Sequence, residues 1–83
     1  MTFATAINCM DGRTQLPVIS WLKENYHIHY VDMITEAGPN KILFGQTNKN
    51  ILTNIKDRVC ISVNKHKSKI IVIVAHHDCA GNP

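Results

Sequence analysis

The chain has no apolar stretch that approaches the ~20 residues needed to span a bilayer. Its first four residues carry no basic group of the kind that opens a secretory signal peptide. It has only three cysteines, an odd number that does not suit a framework of paired disulfides. These absences argue against a membrane protein and a secreted disulfide scaffold, and they predict a soluble, cytoplasmic protein.

Aromatic residues make up 6% of the chain and charged residues 18%, against 45% hydrophobic residues. This balance is typical of a folded domain and not of a disordered segment. The net charge is +3, and basic residues cluster at 65–69. Because no aromatic-rich binding motif accompanies that cluster, we interpret it as a solvated helix end and expect neither a nucleic-acid nor a membrane partner.

The chain has 83 residues, so we expect a single domain over 1–83. A domain this small rarely obtains more than a few kcal/mol of stability from its core. A bound metal ion or a second copy of the chain is therefore expected to stabilise it.

Hydrophobic patterning predicts the element order β-α-β-α-β. The predicted strands are 3–9, 29–34 and 69–75. The second strand is followed by a breaker at 36–39 and by a polar stretch that runs to Asn50. The third strand is an unbroken apolar run, which suits a strand that is covered on both faces.

Two helices are predicted between these strands. The first starts between 14 and 16, since Pro17 is tolerated only in a first turn, and it ends near Asn25. The second starts after Thr47 or Asn48, either of which can cap it. The apolar residues expected to face the core are, in the first helix, Leu16, Ile19, Leu22 and Tyr26, and in the second helix, Ile51, Leu52, Ile55, Val59 and Val63.

The fold class is therefore α/β. Right-handed crossovers between parallel strands give a three-stranded parallel sheet of order 2-1-3, with helices on both faces. Strands 1 and 3 are neighbours in this order, and their carboxyl ends meet at the switch point where open α/β sheets bind ligands.

Ligands that suit a soft metal follow these two strands. Cys9 ends the first strand, and His76 and Cys79 follow the third. Two thiolates and one imidazole form a three-ligand set for Zn²⁺ that leaves one tetrahedral position open, as in catalytic zinc sites. His77 is an alternative to His76, although the H-x-x-C spacing favours His76. The competing interpretation is that the cysteines are ordinary buried residues.

The other cysteine and histidines carry no motif. Cys60 lies in the middle of the second predicted helix and is expected to serve only in packing. His27, His29 and His66 lie beside polar residues, and no role is assigned to them.

Asp11 and Arg13 directly follow the first predicted ligand. A carboxylate at this position can accept a proton from zinc-bound water or occupy the fourth coordination position. Arg13 would hold the carboxylate through paired, charge-assisted hydrogen bonds. The alternative is a surface ion pair in which Asp11 is only the N-cap of a helix.

Cys9-x-Asp11-x-Arg13 followed by His76-x-x-Cys79 resembles the β-class carbonic anhydrases. The resemblance extends to Ala37-Gly38 and to the apolar run before the histidine, and it covers nearly the whole chain. It implies that Cys9, His76 and Cys79 bind Zn²⁺ and that Asp11 and Arg13 form a dyad that gates the fourth position. It also implies reversible hydration of CO2 to bicarbonate through attack of zinc-bound hydroxide.

The chain departs from the family pattern at several positions. Ala75 and Ala80 stand where the family has glycine, and Thr35-Glu36 replaces an Arg-Asn pair. Members of the family also have N-terminal helices before the first strand and further elements after the second motif. The chain thus resembles the zinc-binding half of such an enzyme, either as a naturally short protein or as a fragment that is incomplete at its C-terminus.

Two alternative functions remain open at this point. One is a non-catalytic, zinc-stabilised α/β module that associates with itself or with a partner. The other is hydrolysis of a CO2 analogue such as carbonyl sulfide. The third strand lies at a sheet edge, where unpaired backbone groups favour pairing, so a homodimer or larger homo-oligomer is expected.

Overall fold

The structure is a computed structural model that describes residues 2–45 and 47–76. Its elements, in chain order, are β1 (Phe3–Cys9), a short 3₁₀ turn (Gly12–Thr14), α1 (Gln15–Tyr26), β2 (Tyr30–Glu36), α2 (Pro39–Gly45), α3 (Lys49–Lys65) and β3 (Ile71–Ile73). The strands form a parallel sheet of order β2-β1-β3. The predicted α/β fold and sheet order, and the presence of the two predicted helices as α1 and α3, are therefore confirmed.

The strand register brings the ends of β1 and β3 to one edge of the sheet. β1 pairs with β2 along its full length, from Phe3 opposite Tyr30 to Cys9 opposite Glu36. β3 pairs with the centre of β1, and a hydrogen bond from Val74 N to the Ile7 carbonyl (2.9 Å) continues the pairing past the end of β3. The residues that follow β3 therefore lie beside the end of β1.

The core under α1 is built on small residues of β1. Ala4 and Ala6 are fully buried there, together with Leu22 of α1 and Ile28. Because alternate residues of a strand face the same side, both alanines lie under the same helix. Their small side chains leave room for Leu22 to reach the sheet.

The core on the other face lies under α2 and α3. Ile7 of β1 and Ile34 of β2 are buried there against Ile55 of α3. The helix starts as predicted, because Asn48 Oδ1 accepts a hydrogen bond from Ile51 N (3.1 Å). Ile51 and Val59 also pack on this cluster, which confirms the centre of the predicted apolar face.

The predicted buried face of α1 was wrong at both ends. Leu16 is 70% exposed and Tyr26 is 47% exposed, whereas Val18 and Leu22 pack on the core. The predicted residues recur mainly at three-residue steps, and each such step drifts by about 60° around a helix of 3.6 residues per turn. Val18 and Leu22 are four residues apart, which keeps them on one face.

Helix α2 was not predicted. It occupies part of the polar stretch before Asn50 and starts at Pro39, a residue that is favoured at the first helical position. Gly38 has a φ of 66°, which glycine adopts at little cost, and it turns the chain out of β2 into the helix. Ile42 and Leu43 then pack against the core beneath α3.

β3 is shorter than predicted and is not covered on both faces. It spans Ile71–Ile73, and Ile71 and Ile73 are 50% and 59% exposed. The described helices on their side of the sheet pack over β1 and β2, where Ser62 of α3 bonds to Thr5 and Asp32. The prediction that the third strand is covered on both faces, which was based on its unbroken apolar run, was therefore wrong.

No helix in the described part of the chain is long and apolar enough to cross a bilayer.

Replacement of Leu22 by alanine is expected to lower the free energy of unfolding by about 3 kcal/mol, since a fully buried leucine loses its packing and leaves a cavity. Leu16→Ala is the matched control on the same helix, and its effect should stay within about 0.5 kcal/mol because Leu16 is exposed. Urea unfolding followed by circular dichroism measures both. Equal losses for the two variants would contradict the assignment of the core.

Candidate metal centre

Cys9 is the last residue of β1 and is only 4% exposed. It lies at the carboxyl edge of the sheet, beside the continuation of β3. Ligand sites of open α/β sheets form at the carboxyl ends of neighbouring strands from which the chain continues toward opposite faces of the sheet. The fold thus places a buried thiol at the predicted site.

Side chains of the following turn fix the backbone of Cys9. Gln15 Nε2 donates to the Cys9 carbonyl (2.7 Å), and Thr14 Oγ1 donates to the carbonyls of Cys9 (3.2 Å) and Asp11 (2.8 Å). The buried Asn8 side chain donates from Nδ2 to the Thr14 carbonyl (3.2 Å). These bonds satisfy carbonyl groups that the end of the strand leaves unpaired and hold the loop in one conformation.

The sequence interpretation assigned no function to Asn8, Thr14 or Gln15. The available signal was their position, since all three are polar residues that flank the Cys9–Arg13 motif within a few residues. They act by orienting the backbone that carries the predicted ligand.

Asp11 and Arg13 form the paired contact that was predicted. Arg13 Nε donates to both carboxylate oxygens of Asp11 (3.0 and 3.1 Å), and Arg13 Nη2 donates to Oδ2. The Arg13 backbone N also donates to Asp11 Oδ1 (2.9 Å), so Asp11 caps the 3₁₀ turn at the same time. The Asp11 carboxylate therefore makes the paired contact with the Arg13 side chain and also caps the 3₁₀ turn.

Arg13 keeps Asp11 ionised. Its side-chain hydrogen bonds hold the pKa of Asp11 well below its usual range, and its backbone N–H acts in the same direction. The charges of Arg13 and His76 lower the pKa further. Asp11 is therefore a carboxylate at neutral pH, and His76 lies within electrostatic range of it.

His76 reaches the same edge from β3. It follows Val74, whose backbone N bonds to β1 and whose carbonyl accepts a hydrogen bond from Asn40 Nδ2 of α2 (3.4 Å). The Nε2 atom of His76 is buried. The sheet therefore places Cys9 and His76, which are distant in sequence, at the same end of neighbouring strands.

The residues at this edge fit zinc by the chemistry of their donors. A buried thiol and a buried imidazole nitrogen are preferred Zn²⁺ ligands. Cys79 and the alternative ligand His77 lie outside the described residues. The described part of the chain contains no group of three or more His, Cys, Asp or Glu side chains that can hold a metal, and Cys9, Asp11 and His76 all lie within that part.

Glu36, one of the departures from the family pattern, lies directly opposite Cys9 in the register of β1 and β2. Met10 N donates to the Glu36 carbonyl (2.9 Å). The Glu36 carboxylate forms an ion pair with Arg58 of α3, which offsets a negative charge next to the strand that carries the thiol. The pair joins residues distant in sequence, so no local motif signalled it.

The packing role predicted for Cys60 was wrong, because its side chain is exposed. Cys60 follows Val59, which faces the core, and the next residue of a helix is rotated by about 100°. His66 has a structural contact that the sequence did not indicate, since its Nδ1 lies 2.6 Å from Asp32 Oδ2.

The fold defines a small parallel α/β protein in which Cys9 and His76 follow neighbouring strands at the carboxyl end of the sheet, and metal binding there stays a prediction. A protein-family model described as "Putative carbonic anhydrase" matches residues 1–83, so the chain belongs to that family. The carbonic anhydrase resemblance predicted from the two motifs is confirmed at the level of the family. No curated protein and no solved structure matches the chain.

Proposed function

We propose that this chain catalyses the zinc-dependent, reversible hydration of CO2 to bicarbonate and a proton. The observation that carries the proposal is the pairing of β1 with β3, which brings Cys9 and His76 to one sheet edge beside the Asp11–Arg13 pair. Membership of the carbonic anhydrase family supports the choice of reaction.

Cys9, His76 and Cys79 are the proposed zinc ligands. When bound, zinc supplies a Lewis acid that ionises water near neutral pH. The chain's contribution is a buried thiol on a fixed strand end and an imidazole nitrogen that is shielded from bulk water. The hydrogen bonds from Thr14 and Gln15 keep the Cys9 backbone in position.

Asp11 is the proposed proton acceptor and gate. Because the guanidinium of Arg13 holds it ionised, its carboxylate can accept a hydrogen bond at neutral pH and orient the donor, while the lowered pKa makes it a weak base that takes a proton only transiently. The capping bond from Arg13 N restricts the same carboxylate to one orientation. Arg13 is 70% exposed, so the guanidinium acts through Asp11 and remains in contact with water.

Stopped-flow measurement of CO2 hydration by the zinc-loaded chain tests the proposal. A rate well above that of the buffer is expected, and treatment with EDTA should remove it. A chain that binds zinc and unfolds on EDTA treatment, yet shows no turnover, would contradict catalysis and support the non-catalytic zinc-stabilised module. Turnover of carbonyl sulfide without turnover of CO2 would identify carbonyl sulfide as the substrate.

We also propose that the chain forms a homodimer or larger homo-oligomer through β3. Ile71 and Ile73 present exposed apolar side chains on an edge strand, and such strands favour pairing with another chain. Light scattering is expected to give a mass above that of one chain, and Ile73→Lys should lower it. A single-chain mass at every protein concentration would refute the proposal.

A further inference from the structure

A second cavity lies at the amino ends of the strands, at the opposite end of the sheet from the candidate metal centre. It has a volume of about 320 Å³ and is formed where β1 begins, where α1 ends and where the chain enters β3. Its apolar walls are Phe3, Tyr26, Ile28 and Ile70, and two of these are aromatic. Apolar cavities of this size that carry a few polar groups are typical sites for small molecules.

Two lysines, Lys67 and Lys69, line the same cavity. Neither forms an ion pair with a carboxylate in the part of the chain that the structure describes, where the three ion pairs use Asp11, Glu36 and Asp32. Of these three acidic residues, Asp32 is the nearest in sequence to the residues that line the cavity. Its carboxylate is already hydrogen-bonded to His66 and Ser62. The cavity thus combines an apolar wall with positive charge that its lining residues do not neutralise.

The backbone at Lys67 has a conformation that lysine rarely adopts. Lys67 has a φ of 58°, in the left-handed region that glycine adopts readily and other residues adopt only at a cost in free energy. It follows His66, the C-cap of α3, and the next residue, Ser68, donates from its backbone N to the Ser62 carbonyl (3.3 Å). Glycine is the usual residue at this position of a helix end. Lysine stands there instead, and it is one of the residues that line the cavity.

We propose that this cavity binds a small organic anion with a planar apolar body, of the chemical class of aryl phosphates. The ring would pack on Tyr26, Ile28 and Ile70, since the ring of Phe3 is already stacked on His66 (4.3 Å between centroids). The phosphate would accept charge-assisted hydrogen bonds from Lys67 and Lys69. An inorganic anion alone would leave the apolar walls in contact with water, which makes it the poorer ligand. The site is separate from the metal centre and does not depend on the proposed zinc chemistry.

Titration of the ¹⁵N-labelled chain with phenyl phosphate, followed by amide NMR shifts, tests the proposal. Saturable shifts are expected at Phe3, Ile28 and Ile70, with little change at Cys9. Phenol and inorganic phosphate should each bind at least about tenfold more weakly, a difference equivalent to ~1.4 kcal/mol. Absence of saturable shifts, or equal affinity for inorganic phosphate, would overturn the proposal.

Two variants separate the cavity from general charge attraction. Lys67→Gly removes one ammonium group and places glycine where the φ of 58° favours it, so the variant should remain folded while its affinity for phenyl phosphate falls about tenfold. Lys56→Gln removes the same charge from an exposed position of α3 and should leave the affinity unchanged. Equal weakening by both variants would overturn the proposal.

Discussion

Replacement of Cys9 by serine is expected to abolish zinc binding and, with it, CO2 hydration. Serine has nearly the same shape, but its hydroxyl does not ionise as a thiol does and is a poor zinc ligand. Cys9 ends a strand whose backbone pairs with both neighbours, so the variant should still fold. Zinc content measured after gel filtration should fall from about one ion per chain to nearly none.

Cys60→Ser is the matched control, because Cys60 is exposed on α3. It should keep its zinc and its activity. Thermal unfolding provides a second measurement: added zinc should raise the melting temperature of the wild-type chain and of Cys60→Ser, but not that of Cys9→Ser. In EDTA all three should melt at similar temperatures. Undiminished zinc content in Cys9→Ser would contradict the ligand assignment.

Replacement of Asp11 by asparagine is expected to lower kcat/KM for CO2 hydration by about 10²-fold or more while zinc content stays unchanged. Asparagine keeps an oxygen that can accept the capping bond from Arg13 N, so the turn should be preserved. It lacks the negative charge and the proton affinity of the carboxylate. Arg13→Gln should cause a smaller loss, because the carboxylate remains but is held by fewer hydrogen bonds.

Asp57→Asn is the control for charge, since it makes the same change at an exposed position of α3. Stopped-flow kinetics and metal analysis of the same preparations measure all of these variants. If Asp11→Asn lost zinc in proportion to its activity, the role as proton acceptor would be wrong and Asp11 would act as a ligand. Full activity in Asp11→Asn would exclude both roles.

The sheet and the long helix could be predicted because their signals are strong. β1 is the central strand and is buried from Ala4 to Cys9, so its sequence is almost uniformly apolar or small. α3 combines an apolar face with the capping residue Asn48. With three strands and two crossovers, the handedness rule then leaves few sheet orders to consider.

The remaining features depend on contacts that a single sequence does not reveal. α2 spans only Pro39–Gly45, which is too short for a helical period to stand out from its polar surroundings. The exposure of Ile71 and Ile73 depends on which strands α3 covers. The sequence of β3 would be equally apolar whether or not α3 covered it.

Within the candidate site, the position of Cys9 at the end of β1 and the contact of Asp11 with Arg13 could be predicted because these residues form one contiguous motif. The position of His76 could be predicted because it follows a clear strand, and the roles of all four residues stay predictions. Glu36 illustrates the limit of this reasoning. Its replacement of a family residue was visible in the sequence, but its ion pair with Arg58 depends on how α3 packs beside β2.

Zinc K-edge X-ray absorption of the zinc-loaded wild-type chain tests the central claim most directly. Ligation by Cys9, His76 and Cys79 predicts two sulfur neighbours at about 2.3 Å and two nitrogen or oxygen neighbours at about 2.0–2.1 Å. A zinc shell of nitrogen and oxygen atoms alone, or a chain that retains no zinc after gel filtration, would contradict it.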